Sequence, residues 1–124
     1  MDTRNDVLDF MRACEQTRND WPQAQLYMRL VIEEYTELCN AFEAKDMVEI
    51  ADACADLKWV IEGLEHSLGI PNQAVWDEVN RSNRSKFVDG RLTKDPLTGK
   101  VLKPDTYSPP NIKTILKDRF DVDA

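Results

Sequence analysis

A chain of 124 residues has room for one domain with a hydrophobic core but not for two. Its hydrophobic content of 42% is that of an ordinary globular protein, and its net charge of -7 argues against the broad basic surface that duplex DNA or RNA requires. No apolar run approaches the roughly 20 residues that span a bilayer, so a membrane is not an expected partner, and the N-terminus lacks an apolar signal core. Cys14, Cys39 and Cys54 form no C-x-x-C pair, which excludes an ordinary zinc site and fits reduced core thiols in a cytoplasmic protein.

Val7, Phe10, Met11 and Cys14 mark a first amphipathic helix near residues 5–17, ahead of the polar stretch from Thr17 to Pro22. A second helix is expected over residues 23–44 and a third over 46–68, with Asp46 as N-cap and Gly69 as stop. Their short junction implies an antiparallel hairpin in which the chain doubles back near Lys45. A fourth helix should begin near Pro71 and run through Ala74, Val75, Trp76, Val79 and Asn83 toward Phe87. Glycine, proline and threonine then punctuate residues 89–110, where Leu97-Thr98-Gly99-Lys100-Val101 could turn a loop or small hairpin. Pro109-Pro110 should precede a short helix carrying Ile112, Ile115, Leu116 and Phe120. The expectation is all-α: a single domain over residues 1–124, an antiparallel bundle of four main helices with its core in residues 5–87 and an irregular tail over 88–124.

Two acidic clusters, Glu33-Glu34-x-x-Glu37 and Glu49-x-x-Asp52-x-x-x-Asp56, lie inside the apolar stripes of the second and third helices. At about 100° per residue, Glu34 and Glu37 fall within about 40° of Leu30 and Ala41, with Glu33 at the edge of the same face. Glu49 and Asp56 share an azimuth with Val60, and Asp52 lies toward Trp59. Unpaired anions on apolar faces must be protonated, paired with bases or bound to cations. Neither face carries a base, because Lys58 points to the back of its helix and Arg29 lies off the centre of its own. Gly63 stands three residues before His66, so the Glu-x-x-His pairs of di-iron bundles are missing. Oxygen donors alone favour Mg²⁺, or Mn²⁺ in its place, and the lack of an EF-hand loop disfavours calcium. Two other readings of the acids remain: a solvated face, or a subunit interface with the acids paired across chains to Arg81 or Arg84.

The order Glu33-Glu34-x-x-Glu37, Glu49-x-x-Asp52 resembles the E-E-x-x-E and E-x-x-D signature of the all-α nucleotide pyrophosphohydrolases, the MazG-like and phosphoribosyl-ATP pyrophosphohydrolase-like group. Ala55-Asp56-Leu57-Lys58-Trp59-Val60 looks like the segment closing the second acidic motif. Arg81-Ser82-Asn83-Arg84-Ser85-Lys86 is similar to the family's R-S-N-x-S-K stretch, and Gly99 to Pro104 with Tyr107-Ser108-Pro109-Pro110 resembles its tail, so the likeness covers residues 26–112. The resemblance implies an oligomeric helical bundle that splits nucleoside triphosphates between the α- and β-phosphates, giving monophosphate and pyrophosphate. Glu34, Glu37, Glu49 and Asp52 would then be the main metal ligands, with Glu33 and Asp56 as further ligands or as the base that orients water. Water would be the nucleophile, Lys86 a phosphate contact and Asn83 a hydrogen-bonding group for substrate. Trp59, beside the acidic stripe, could stack on a base, although an indole at helical spacing more often belongs to a core.

This sequence departs from the family pattern in its short Glu37–Glu49 gap and in Ala53, which stands three before Asp56 where relatives place a glutamate. Whether Asp52 or Asp56 closes the motif stays open, since Glu49, Asp52 and Asp56 share a face. Deoxynucleoside triphosphates are the expected substrates in a role of nucleotide pool control. Phosphoribosyl-ATP hydrolysis and a noncatalytic metal-binding interaction module are the alternatives. A homodimer or homotetramer is expected, because so small a bundle needs its acidic faces covered.

Overall fold

Each of the first three helices starts on an aspartate. The carboxylates of Asp2, Asp20 and Asp46 accept hydrogen bonds from the backbone N–H groups of Asn5, Gln23 and Glu49 at 3.2, 3.3 and 3.2 Å, satisfying donors that a helix N-terminus leaves free. They open α1 (Thr3–Ala13), α2 (Trp21–Glu43) and α3 (Met47–Leu68) in a computed structural model that describes residues 2–16 and 18–117. Asp46 thus caps as expected.

The three helices also end alike. After α3, Gly69 is left-handed (φ 70°), its N–H bonds to the His66 carbonyl, and the next N–H, of Ile70, reaches Glu65. That six-to-one and five-to-two pair is a Schellman motif, in which glycine spares the Cβ cost of positive φ. Lys45 (φ 56°) and Glu15 (φ 59°) do the same for α2 and α1, with Asp46 N–H on Ala41 and Gln16 N–H on Met11. The Glu15 turn closes α1 at Ala13, before the expected end of that segment at Thr17, which lies outside the described residues.

With only Ala44, Lys45 and Asp46 between them, α2 and α3 fold back antiparallel. The ring of Tyr27 lies against Gly63, so close that a Cβ there would overlap it, and Gln23 Nε2 donates to Ser67 Oγ at 2.8 Å. These two pairs set a register that, continued toward the turn, brings Leu30 level with Val60 and Glu34 level with Asp56. Val7 and Met11 of α1 join Tyr27 and Val60 in the buried core, flanked by Leu30, Val31, Leu57 and Leu64. Each such side chain contributes about 1.5–3 kcal/mol when fully buried. The phenol of Tyr27 keeps a partner in Gln16 Oε1 at 2.6 Å. Phe10 meets Trp59 edge to face, centroids 5.6 Å apart.

The chain separates into two compact units, Met1–Ile70 and Pro71–Ala124. In the second, α4 (Asn72–Arg84) and α5 (Ile112–Leu116) frame an irregular segment. The expected small hairpin is present: Asp95 accepts from the N–H groups of Leu97 and Thr98, Gly99 takes φ 74°, and Lys94 bridges Val101. The tail then docks on α4. Arg81 donates to the Pro109 carbonyl at 3.1 Å, the Asn111 N–H reaches Glu78 at 2.6 Å, and the Ser108 N–H reaches Ser85 Oγ at 2.8 Å. α4 stops at Arg84 and does not extend toward Phe87, because Ser85 turns its hydroxyl back onto the Ser82 carbonyl at 2.5 Å.

Among the described residues there is no strand, and no helix is long and apolar enough to cross a membrane. Phe120, expected on the last helix, lies outside them. The cysteines correct the expectation of core thiols: all three are free but exposed. Cys14 sits just past the last turn of α1, and Cys39 and Cys54 occupy faces turned away from the α2–α3 seam.

Candidate active site

The carboxylates face one another because of the hairpin register. Of the six acids, Glu34 and Asp56 are half-buried, while Glu33, Glu37, Glu49 and Asp52 are exposed along the rim of the seam. The stripe is therefore a groove edge open to water, and only its two inner acids approach the core.

Glu34 carries the strongest perturbation. Burial, then the adjacent Glu37, then Asp56 from the facing helix and Glu33 raise its carboxyl from 4.5 to about 7. Its Oε2 is enclosed and lacks a hydrogen-bond partner. Asp56 is likewise raised, first by burial and then by Asp52 and Glu37. The field therefore links Glu33, Glu34, Glu37, Asp52 and Asp56 across both helices. Glu49 lies in the first turn of α3, nearest the hairpin bend.

No base relieves this charge. Among the described residues the ion pairs are Arg12–Asp9 and Arg81–Glu78, neither of which includes one of the six acids. Arg81 is held by Glu78 of its own helix at 2.8 and 2.9 Å, which depresses the Glu78 carboxyl and occupies a side chain considered for pairing across subunits. Among the same residues, no three of the His, Cys, Asp and Glu side chains form a ready-made metal cage. The donor set nonetheless fits a hard divalent cation, being all carboxylate oxygen with one buried oxygen unsatisfied. Glu34, Glu37, Asp52 and Asp56, which feel one another's charge, are the residues that could hold such an ion, with Glu49 one turn away from Asp52.

Trp59 is 38% exposed and braced by Phe10 at an interplanar angle of 81°, so its indole is neither sealed in the core nor free of it. In the second unit, Asn83 and Lys86 line one cleft of about 300 Å³ together with Arg84, Phe87, Leu92 and Val101. The sequence reading singled out Asn83 and Lys86 but missed the groups that frame them. Lys86 Nζ stands 5.7 Å from the centroid of Tyr107, and Lys103 Nζ stands 5.1 Å from the same centroid. Nothing in residue spacing brings Lys103 to Lys86. The one available hint was Glu78 three residues before Arg81, a spacing that forms an ion pair on a helix.

The family model described as phosphoribosyl-ATP pyrophosphohydrolase matches residues 9–83, more than half of the chain. Comparison with curated proteins gives no match. The match spans the whole α2–α3 hairpin, both acidic clusters and all but the last residue of α4. With its all-helical fold and facing carboxylates, the chain belongs to the phosphoribosyl-ATP pyrophosphohydrolase family, within the MazG-like all-α pyrophosphohydrolases, and is a hydrolase of phosphoanhydride bonds.

Proposed function

We propose that the protein hydrolyses nucleoside triphosphates, deoxynucleotides among them, between the α- and β-phosphates, releasing a monophosphate and pyrophosphate in nucleotide pool control. The observation that carries this reading is the half-buried Glu34, with an unpartnered oxygen, facing Asp56 across the hairpin. Positive charge relieves the repulsion in such an arrangement, and Mg²⁺ or Mn²⁺ with its phosphate cargo would supply it. When bound, the cation neutralises charge growing on phosphate oxygens and makes an attacking water more acidic. Glu34, Glu37, Glu49, Asp52 and Asp56 are the proposed ligand set. Glu33, exposed at the end of the first cluster, is the proposed base that orients and deprotonates water. Lys86 and Asn83 offer a point charge and an amide to phosphate or sugar, and Trp59 an indole edge to the base. The second reading, phosphoribosyl-ATP hydrolysis, is supported by the description of the matching family. Both substrates carry the same anhydride and release pyrophosphate, so the substrate that turns over separates the readings and the products test the bond. Purified protein with Mg²⁺ or Mn²⁺ is incubated with a panel of ribo- and deoxynucleoside triphosphates and with phosphoribosyl-ATP, with Glu37→Gln as control. Monophosphate and pyrophosphate lost in the variant support the first reading; turnover of phosphoribosyl-ATP alone supports the second; a diphosphate product refutes the bond assignment.

A second copy of the chain is the proposed partner. Trp21, Met28, Ile32, Tyr35, Cys39 and Phe42, together with Gln25, repeat at alternating three- and four-residue spacings along α2, and the six apolar side chains are exposed. The three aromatic rings alone, at roughly 150–250 Å² each, offer about 400 Å² at their observed exposure. With Met28 and Ile32 this reaches about 600 Å² per copy and about 1,200 Å² in a pair, the lower bound of a stable interface.

A further inference from the structure

Tyr107 is fixed in place from both sides of its own position in sequence. Its N–H closes a turn onto the Pro104 carbonyl at 3.0 Å, Thr106 Oγ1 donates to the Ser85 carbonyl at 3.0 Å, and the Ser108 N–H donates to Ser85 Oγ at 2.8 Å. Ser85 precedes Lys86, so the same contacts that pin the tail to the end of α4 set the ring beside the Lys86 ammonium. Lys103 reaches that ring as well. Two ammonium groups drawn to one phenol repel each other, and the quadrupole of a single ring offsets only part of that cost. Among the described residues neither lysine has a carboxylate within ion-pair distance, in a chain whose net charge is -7. A concentrated, unneutralised pair of cations, built on a hydrogen-bonded frame, calls for a multiply charged anion.

We propose that Lys86 and Lys103, gathered on the ring of Tyr107, form a two-cation site for a pyrophosphate group, with Tyr107 as its positioning residue. Two phosphoryl groups carry the charge that two ammoniums require, and the reaction class of the family both consumes and releases this unit. The inference rests on the reading of Lys86 as a phosphate contact and extends it to two side chains of the tail. Pyrophosphate as released product and the terminal part of a bound triphosphate share this chemistry.

The test is calorimetric titration of the full chain in EDTA with pyrophosphate, with a nucleoside triphosphate and with inorganic phosphate. Lys103→Gln should weaken pyrophosphate about five- to tenfold, Lys103→Arg and Tyr107→Phe should retain it, and Tyr107→Leu should weaken it with the fold intact by circular dichroism. Parallel weakening of the triphosphate assigns the site to substrate as well; weakening of pyrophosphate alone assigns it to product. Lys94→Gln, which removes the same charge from the hairpin, should leave both unchanged. Unchanged pyrophosphate affinity in Lys103→Gln, or equal losses in Lys94→Gln, overturns the proposal. Because the titration needs no turnover, failure of triphosphate hydrolysis would refute the proposed activity without touching this site.

Discussion

Replacing Glu34 with glutamine should make the metal-free protein more stable at neutral pH and abolish most of its activity. The side chain keeps its shape and loses its charge. A carboxyl raised from 4.5 to about 7 in the folded state holds its proton there after the unfolded chain has released it. Between those pH values the folded state binds more protons, so stability falls as pH rises across the window. The penalty is absent below the ordinary glutamate value and complete above about 7. At about 1.4 kcal/mol per pH unit the full difference is about 3.5 kcal/mol. Water at this open groove screens it to about 1–1.5 kcal/mol. For a domain of this size that is a rise of about 3–6 °C in Tm. Urea unfolding in EDTA, run at pH 5 and pH 8 on both proteins, gives the comparison directly. The Glu34→Gln advantage should be near zero at pH 5 and about 1 kcal/mol at pH 8. Glu78, whose carboxyl is depressed by Arg81 and the Asn111 N–H, titrates below this window and is common to both proteins. A variant no more stable at pH 8 than the wild type, or an advantage independent of pH, would refute the reasoning.

Gly63→Ala forces a methyl group into the Tyr27 ring and should cost about 2–3 kcal/mol, read from the urea midpoint; a cost under half a kilocalorie would show that the ring can move aside. Lys45→Gly removes a Cβ from a left-handed Schellman position and should stabilise the hairpin by about 0.5–1 kcal/mol in the same assay, whereas a loss of stability would mean that flexibility gained by the unfolded chain dominates. Ile32→Arg places a charge mid-seam on α2, and light scattering should show the wild type as a dimer or tetramer and the variant as a monomer; a wild type that is monomeric at working concentration sinks the interface.

The helices were legible where their signals are local. Asp46 and Gly69 mark the two ends of α3 by residue type, because a carboxylate caps and a glycine accepts positive φ. The end of α1 was not legible, since the same Schellman geometry is there occupied by Glu15, a residue with no preference for it. Periodicity placed Glu34 and Asp56 on facing stripes and overstated the burial of their neighbours, for it reports direction around a helix and not how far a partner extends over it. The exposed cysteines fail for the same reason. The link from Lys86 through Tyr107 to Lys103 was beyond sequence reading, because it depends on a tail returning to α4 through backbone carbonyls, which every residue possesses alike.

The charge of the acidic groove has a thermodynamic consequence for any cation that binds there. A carboxyl that holds its proton to about 7 must release it to become a ligand, so cation binding and proton release are linked. Raising pH through that value strengthens cation binding while it weakens the apo fold, and the two effects share one origin in Glu34. A cation that binds the folded state alone then restores stability by mass action, most strongly where the apo protein is least stable. Stabilisation by Mg²⁺ should therefore be larger at pH 8 than at pH 6, and Glu34→Gln should remove most of that difference. Thermal unfolding with and without 5-fold steps of Mg²⁺ at the two pH values measures it; equal stabilisation at both would place the ion away from Glu34.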